Sequence, residues 1–221
     1  MLIAFLNWSE AWACLIPLYV FIVKRPGDKY FGIIAAYFLT ALCINILADV
    51  SWIFNACMPP NFKNNNFLYN ISSMLRTLVF LFFFRNVIYY QFKNYFSFFA
   101  VAYIVFSLLF FIINEENFIF LNSFLHATEG FILLVLCIAY FIASIKSEDV
   151  SISYSPCFFI ICGLALYEAV SFFVFLFYEY NMSHNRKFDS AIWYVHDCIF
   201  IVFCILIARA FNGTSKINYG S

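Results

Sequence analysis

Continuous apolar runs follow one another along the chain, at roughly 4–23, 31–54, 67–90, 95–113, 118–145, 155–180 and 190–211. Each is long enough, at about 1.5 Å per helical residue, to cross a hydrocarbon core of about 30 Å. A membrane barrel would show segments of about ten residues with alternating polarity instead. The pattern therefore predicts an all-α polytopic membrane protein: one domain of seven transmembrane helices, 1–211, and a short cytoplasmic tail, 212–221. Turn-forming and polar stretches separate the runs, among them Lys24-Arg25-Pro26-Gly27-Asp28-Lys29, Pro59-Pro60-Asn61 and Asn114-Glu115-Glu116-Asn117. Pro17 lies inside the first run and predicts a kink there, because it has no N–H to donate to the preceding turn.

Composition strengthens this reading. Hydrophobic residues make up 65% of the chain, charged residues 11%, and the mean hydropathy is +0.90, far from the balance of a soluble domain. Membrane lipid is thus the chain's principal solvent and its first expected partner, and backbone polar groups must be satisfied inside helices. The formal net charge is zero, so no basic footprint for nucleic acid is present. No stretch between the runs is long enough for a soluble catalytic domain, so chemistry or binding is expected among the helices.

Lys and Arg are distributed unequally between alternate connections. Lys24, Arg25, Lys29, Arg85, Lys93, Lys146, Arg209 and Lys216 fall on one side, and Lys63, Arg186 and Lys187 on the other. The positive-inside rule then predicts an outside N-terminus and a cytoplasmic C-terminus. The apolar start has no preceding Lys or Arg and carries Glu10 within the run, so it is expected to be a first spanning helix rather than a removed signal.

Within the runs, ionisable residues stand out, because a charge near a helix centre costs about 2.5–3.5 kcal/mol on insertion scales. They are Glu10, Asp49, Arg76, His126, Glu129, Glu168, His196 and Asp197. With the predicted orientation, all fall in the outer half or near the midplane, and only the fourth helix contributes none. Helical spacing groups them further: Asn122, His126 and Glu129 share one face, Asn45 and Asp49 a second, and Tyr69, Ser73 and Arg76 a third. His196 and Asp197 diverge by about 100° and are not expected to point inward together. Singly, Glu10, Asn45, Asn70 and Asn122 read as interhelical hydrogen bonds. Together, Asp49, Arg76, His126, Glu129, Glu168, His196 and Asp197 read as a ligand-binding pocket, with Arg76 as counter-ion to Asp49, Glu129 or Glu168.

A metal would draw on His126, Glu129, Glu168 and His196, although no H-E-x-x-H pattern is present. The eight cysteines form no C-x-x-C pair and read as small buried hydrophobes. Phe80-Leu81-Phe82-Phe83-Phe84 reads as lipid-facing filler or, alternatively, as the lining of an apolar site. Every lysine lies in a loop or tail, which argues against a retinal Schiff base, and no other cofactor is indicated. The Asp-Arg-Tyr and Asn-Pro-x-x-Tyr signatures of G-protein-coupled receptors are missing. So is a His-x-x-x-His pair, as in ceramidase-like hydrolases, in the last run.

The aromatic run ending in arginine, Leu81-Phe82-Phe83-Phe84-Arg85, and a last helix opening Ser190-Ala191-Ile192-Trp193-Tyr194-Val195-His196-Asp197 give the chain a pattern that resembles small seven-helix membrane proteins of Bacteroidota. Those proteins have no established activity to carry over. The resemblance implies a bacterial inner-membrane location and, because some of them resemble membrane portions of sensor systems, a role in signalling. The expectation is a non-enzymatic module that senses or binds a ligand in its outer half and acts through a partner membrane protein. The alternatives are an intramembrane lipid hydrolase, metal-dependent or not, and a proton-coupled transporter.

Overall fold

A computed structural model describes residues 8–27, 29–53, 66–87, 93–113, 123–146, 155–178 and 186–213. The described residues are all helical apart from caps and turns: α1 (Ser9–Trp12), α2 (Leu15–Lys24), α3 (Lys29–Ile53), α4 (Asn66–Val87), α5 (Lys93–Ile113), α6 (Ser123–Lys146), α7 (Pro156–Leu176) and α8 (Arg186–Gly213). Five helices, α3, α4, α6, α7 and α8, are long and apolar enough to cross a membrane, and α5 adds a shorter apolar stretch, Ala100–Phe110. The chain is thus a helical, multi-pass membrane protein in outline. Asn122, Cys57, Lys63, Lys216 and most of the connections lie outside the described residues.

The first run is a broken helix. Pro17 cannot donate to the carbonyl of Ala13, and that carbonyl accepts from Ile16 N–H at 3.1 Å in a tighter turn. The break falls at Ala13 and Cys14, one turn before the proline, and separates α1 from α2. α2 ends at Arg25, whose left-handed backbone (φ 45°, ψ 60°) returns its N–H to Phe21 O at 2.9 Å, a C-terminal closure normally given to glycine. At the other extreme of order, α7 opens on Ser155, whose hydroxyl accepts from Phe158 N–H at 3.2 Å, with Pro156 in the first helical position.

Packing closes α2, α3, α4, α6, α7 and α8 into a ring of neighbours, with α1 wedged between α3 and α8 and α5 applied to α4. Along its length the bundle divides into two halves of opposite character. One holds the apolar core: Phe31 and Phe38 from α3, Phe80 and Phe84 from α4, Leu133 from α6, Ile160 and Leu164 from α7, and Phe203 and Phe211 from α8. Phe203 ties four helices together, with ring centroids 5.6 Å from Phe38, 6.0 Å from Phe80 and 5.3 Å from Tyr167. The run around Phe82 therefore divides between core and surface, since Phe80, Phe83 and Phe84 are buried and Phe82 is exposed.

Because lipid tails are as apolar as these side chains, close packing rather than exclusion of water holds such a core. Gly163 shows the required fit: a Cβ there would stand 3.1 Å from Leu206 Cβ and from Phe203 Cδ2. Outside the ring, Leu39, Phe131, Ile142, Phe173, Val195 and Ile205 are exposed, the surface expected against lipid.

Candidate ligand-binding cavity in the polar half

The opposite half contains a cavity of about 390 Å³, within the usual size range of small-molecule sites. Each wall follows from a helical stripe. α4 presents Tyr69, Ser73 and Arg76 at the spacing of one face; α8 presents Trp193, His196 and Asp197; α3 presents Tyr37, Ala41 and Asn45. His126 enters from α6, Tyr167 and Phe175 from α7, and Glu10 from α1.

Arg76 organises the floor. Its Nε donates to Glu129 Oε1 at 2.8 Å and lies 3.3 Å from Glu168 Oε1, while Nη1 donates to the Tyr167 hydroxyl at 2.7 Å. The guanidinium also lies over the Tyr167 ring, 4.9 Å from its centroid, a cation–π contact strengthened by the low dielectric. Ser73 donates its hydroxyl to the second oxygen of Glu129. Glu168 differs: it sits in ion-pair range of Arg76, yet neither of its oxygens accepts a hydrogen bond among the described residues. α6 admits that carboxylate through Gly130, where a Cβ would stand 3.3 Å from Glu168 Oε2.

Two histidines border the cavity without a hydrogen-bond partner on either ring nitrogen among the described residues. His126 is 5% exposed and stacks on Phe175 at 4.5 Å, with the planes 20° apart. His196 is 2% exposed, edged by Trp193 at 5.5 Å and Tyr167 at 5.2 Å. Leaving a buried polar group unpaired costs about 1–3 kcal/mol, so each ring would gain from a partner placed in the cavity.

Glu10 owes its place to the broken first helix. Its backbone carbonyl accepts from the Asn45 side-chain amide at 3.0 Å and from the Cys14 thiol at 3.1 Å, and its carboxylate reaches 3.9 Å from His196 Nδ1. Glu10, His196 and Asp197 each offer a ligand atom within 4.8 Å of the others.

Of the residues singled out in the sequence, Arg76, His126, His196 and Asp197 border the cavity, and Glu129 and Glu168 stand behind it, held at Arg76. Asp49 is half-buried and does not border the cavity, although Asn45, one turn along the same face, does. The four-residue metal set His126, Glu129, Glu168 and His196 is not assembled, because Arg76 engages the two glutamates. His196 and Asp197, which their separation of about 100° was expected to turn apart, both border the cavity with ligand atoms within 4.8 Å of each other, and α1, packed along α8, brings Glu10 within the same distance of both. Glu10, read singly as a helix tie, belongs to this group. Tyr167 was not singled out; its only sequence signal is adjacency to Glu168 in an apolar run.

No protein-family model, curated protein or solved structure matches the chain.

Proposed function

We propose that the protein is a seven-helix integral membrane module that binds a small ligand in its polar half and passes the signal to a partner membrane protein. In this reading α1 and α2 together count as the first span and α5 as the fourth. In the same reading the Lys/Arg distribution sets the polar half toward the outside and the aromatic core toward the cytoplasm, and the resemblance to Bacteroidota proteins implies a bacterial inner membrane. The observation that carries the proposal is the cavity itself, about 390 Å³ and bordered by two buried, unpartnered imidazoles. A bundle that only needed polar ties would have paired them. Connections too short for a separate output domain favour a partner as the route of the signal.

A cavity-filling variant tests the proposal. Ser72 borders the cavity from α4. Protein gently extracted from its native membrane is expected to carry a small molecule and a second membrane protein. Ser72→Trp is expected to lose the small molecule while still folding. Equal small-molecule content in wild type and Ser72→Trp contradicts the ligand site.

Proton-coupled transport is a second reading, favoured by one observation: Glu168 is a fully buried carboxylate that accepts no hydrogen bond among the described residues. Such a group exchanges a proton without giving up a hydrogen bond, loosening only its 3.3 Å ion-pair contact with Arg76, as relay carboxylates in membranes do. Proton uptake by liposomes that is abolished in Glu168→Gln would select it.

A further inference from the structure

We propose that Glu10, His196 and Asp197 form a binding site for a divalent transition-metal ion of the zinc type, with its remaining coordination position open to the cavity. This names a ligand for the cavity and so rests on reading that cavity as a ligand site.

The ligand atoms of the three side chains lie within 4.8 Å of one another, with His196 Nδ1 and Glu10 Oε1 3.9 Å apart. Ligands on a tetrahedral zinc, at about 2.1 Å from the metal, stand about 3.4 Å from each other. The difference, at most about 1.4 Å per pair, is of the size that side-chain rotation covers. The second observation is independent of the acids: His196 is 2% exposed, and neither of its nitrogens has a hydrogen-bond partner among the described residues. A buried imidazole in that state lacks the interaction that a metal supplies.

Charge points the same way. Arg76 faces this cavity too, but its guanidinium is engaged by Glu129, Glu168 and Tyr167, which leaves Glu10 and Asp197 without a Lys or Arg partner among the described residues. A dication against two carboxylates and a neutral imidazole gives a site of no net charge, the arrangement that a low-dielectric half of a bundle tolerates best. The single nitrogen ligand selects against calcium and magnesium, which take oxygen ligands and more of them. Three protein ligands with a side open to a cavity is also the pattern in which zinc accepts an exogenous ligand or water.

The backbone around Glu10 holds it ready. Its carbonyl is tied to α3 by Asn45 and to the helix break by Cys14, so the carboxylate is presented from a fixed turn.

Cobalt(II) is the probe, because its visible spectrum reports tetrahedral nitrogen and oxygen ligation directly. Detergent-purified full-length wild type is expected to bind one cobalt per chain, to release it to zinc, and to retain it in excess magnesium. Glu10→Gln and Asp197→Asn keep the side-chain shapes at half-buried positions and are expected to fold. Each is expected to weaken cobalt binding by roughly a hundredfold, the upper end of what even outer-shell changes cost. His196→Ala is expected to abolish it. Cys43→Ser, which removes an exposed thiol on α3, is expected to leave it unchanged. Wild type that takes up no cobalt, or uptake that survives in folded Glu10→Gln and Asp197→Asn, overturns the assignment. If the same wild type still carries a small molecule displaced by Ser72→Trp, the metal alone is rejected and the ligand site stands.

Discussion

Arg76 on α4 reaches Glu129 on α6 across a gap of 2.8 Å, with the two side chains 9% and 0% exposed. Together with the Ser73 hydroxyl, which donates to the other Glu129 oxygen, the pair ties α4 to α6 at the floor of the cavity. Removing one member of a buried ion pair costs about 3–5 kcal/mol, mostly because the other charge is stranded. Glu129→Ala is therefore expected to lower thermal stability sharply in detergent. Glu129→Gln, which retains an acceptor for Arg76 Nε, is expected to lose less. Thermal melts of both variants check the order; equal and negligible losses would show that the pair does not hold the bundle.

Tyr167 accepts from Arg76 Nη1 at 2.7 Å and stacks on Phe203 with the rings 15° apart, so it connects the polar floor to the aromatic core. Tyr167→Phe keeps the stacking and deletes the acceptor. A hydrogen bond to a charged group contributes about 1.5–3 kcal/mol, and a loss in that range is expected in chemical unfolding. A smaller loss for Tyr167→Ala than for Tyr167→Phe would contradict this division of roles.

Asn45 holds the carbonyl of Glu10 at 3.0 Å. Asn45→Ala is expected to cost about 1 kcal/mol in stability, the net worth of an ordinary hydrogen bond. It is also expected to weaken cobalt binding at Glu10 by roughly tenfold, as loss of an outer-shell support does. Isothermal titration on the folded variant reads the second effect, and unaltered affinity would remove Asn45 from the positioning role.

Gly163 lets α7 approach α8, and an added methyl would meet Leu206 and Phe203 at 3.1 Å. Overpacking of this kind costs about 1–3 kcal/mol. Gly163→Ala is expected to fall within that range, although alanine is the better helix former. A stabilised variant would mean that the two helices yield freely at this crossing.

The helices were legible because nothing in water accounts for apolar runs of that length, and their ends agree with the structure to within a few residues for α3, α4 and α8. The buried ion pair was legible for a related reason: Arg76 is a lone cation deep in an apolar run and required an acid. Depth along a face was not. Asn45 and Asp49 share a face by their spacing, yet only Asn45 reaches the cavity, since periodicity gives a direction and not a distance from the other helices. The metal-ligand set was not legible either. Pro17 announced a kink, but where α1 would lie after it, and that Glu10 would meet His196 and Asp197 there, depends on packing between α3 and α8. Tyr167 was hidden among 15 tyrosines, most of which have nothing to distinguish them by pattern.

Ser72 borders the cavity and reports from which side of the membrane it is reached. In sealed, oriented vesicles carrying Ser72→Cys in a cysteine-depleted background, a charged, membrane-impermeant thiol reagent is applied to one face at a time. Modification is expected from the outer face, slowed when zinc is added first. Modification from the cytoplasmic face alone, or from neither, would contradict a ligand cavity that opens to the outside.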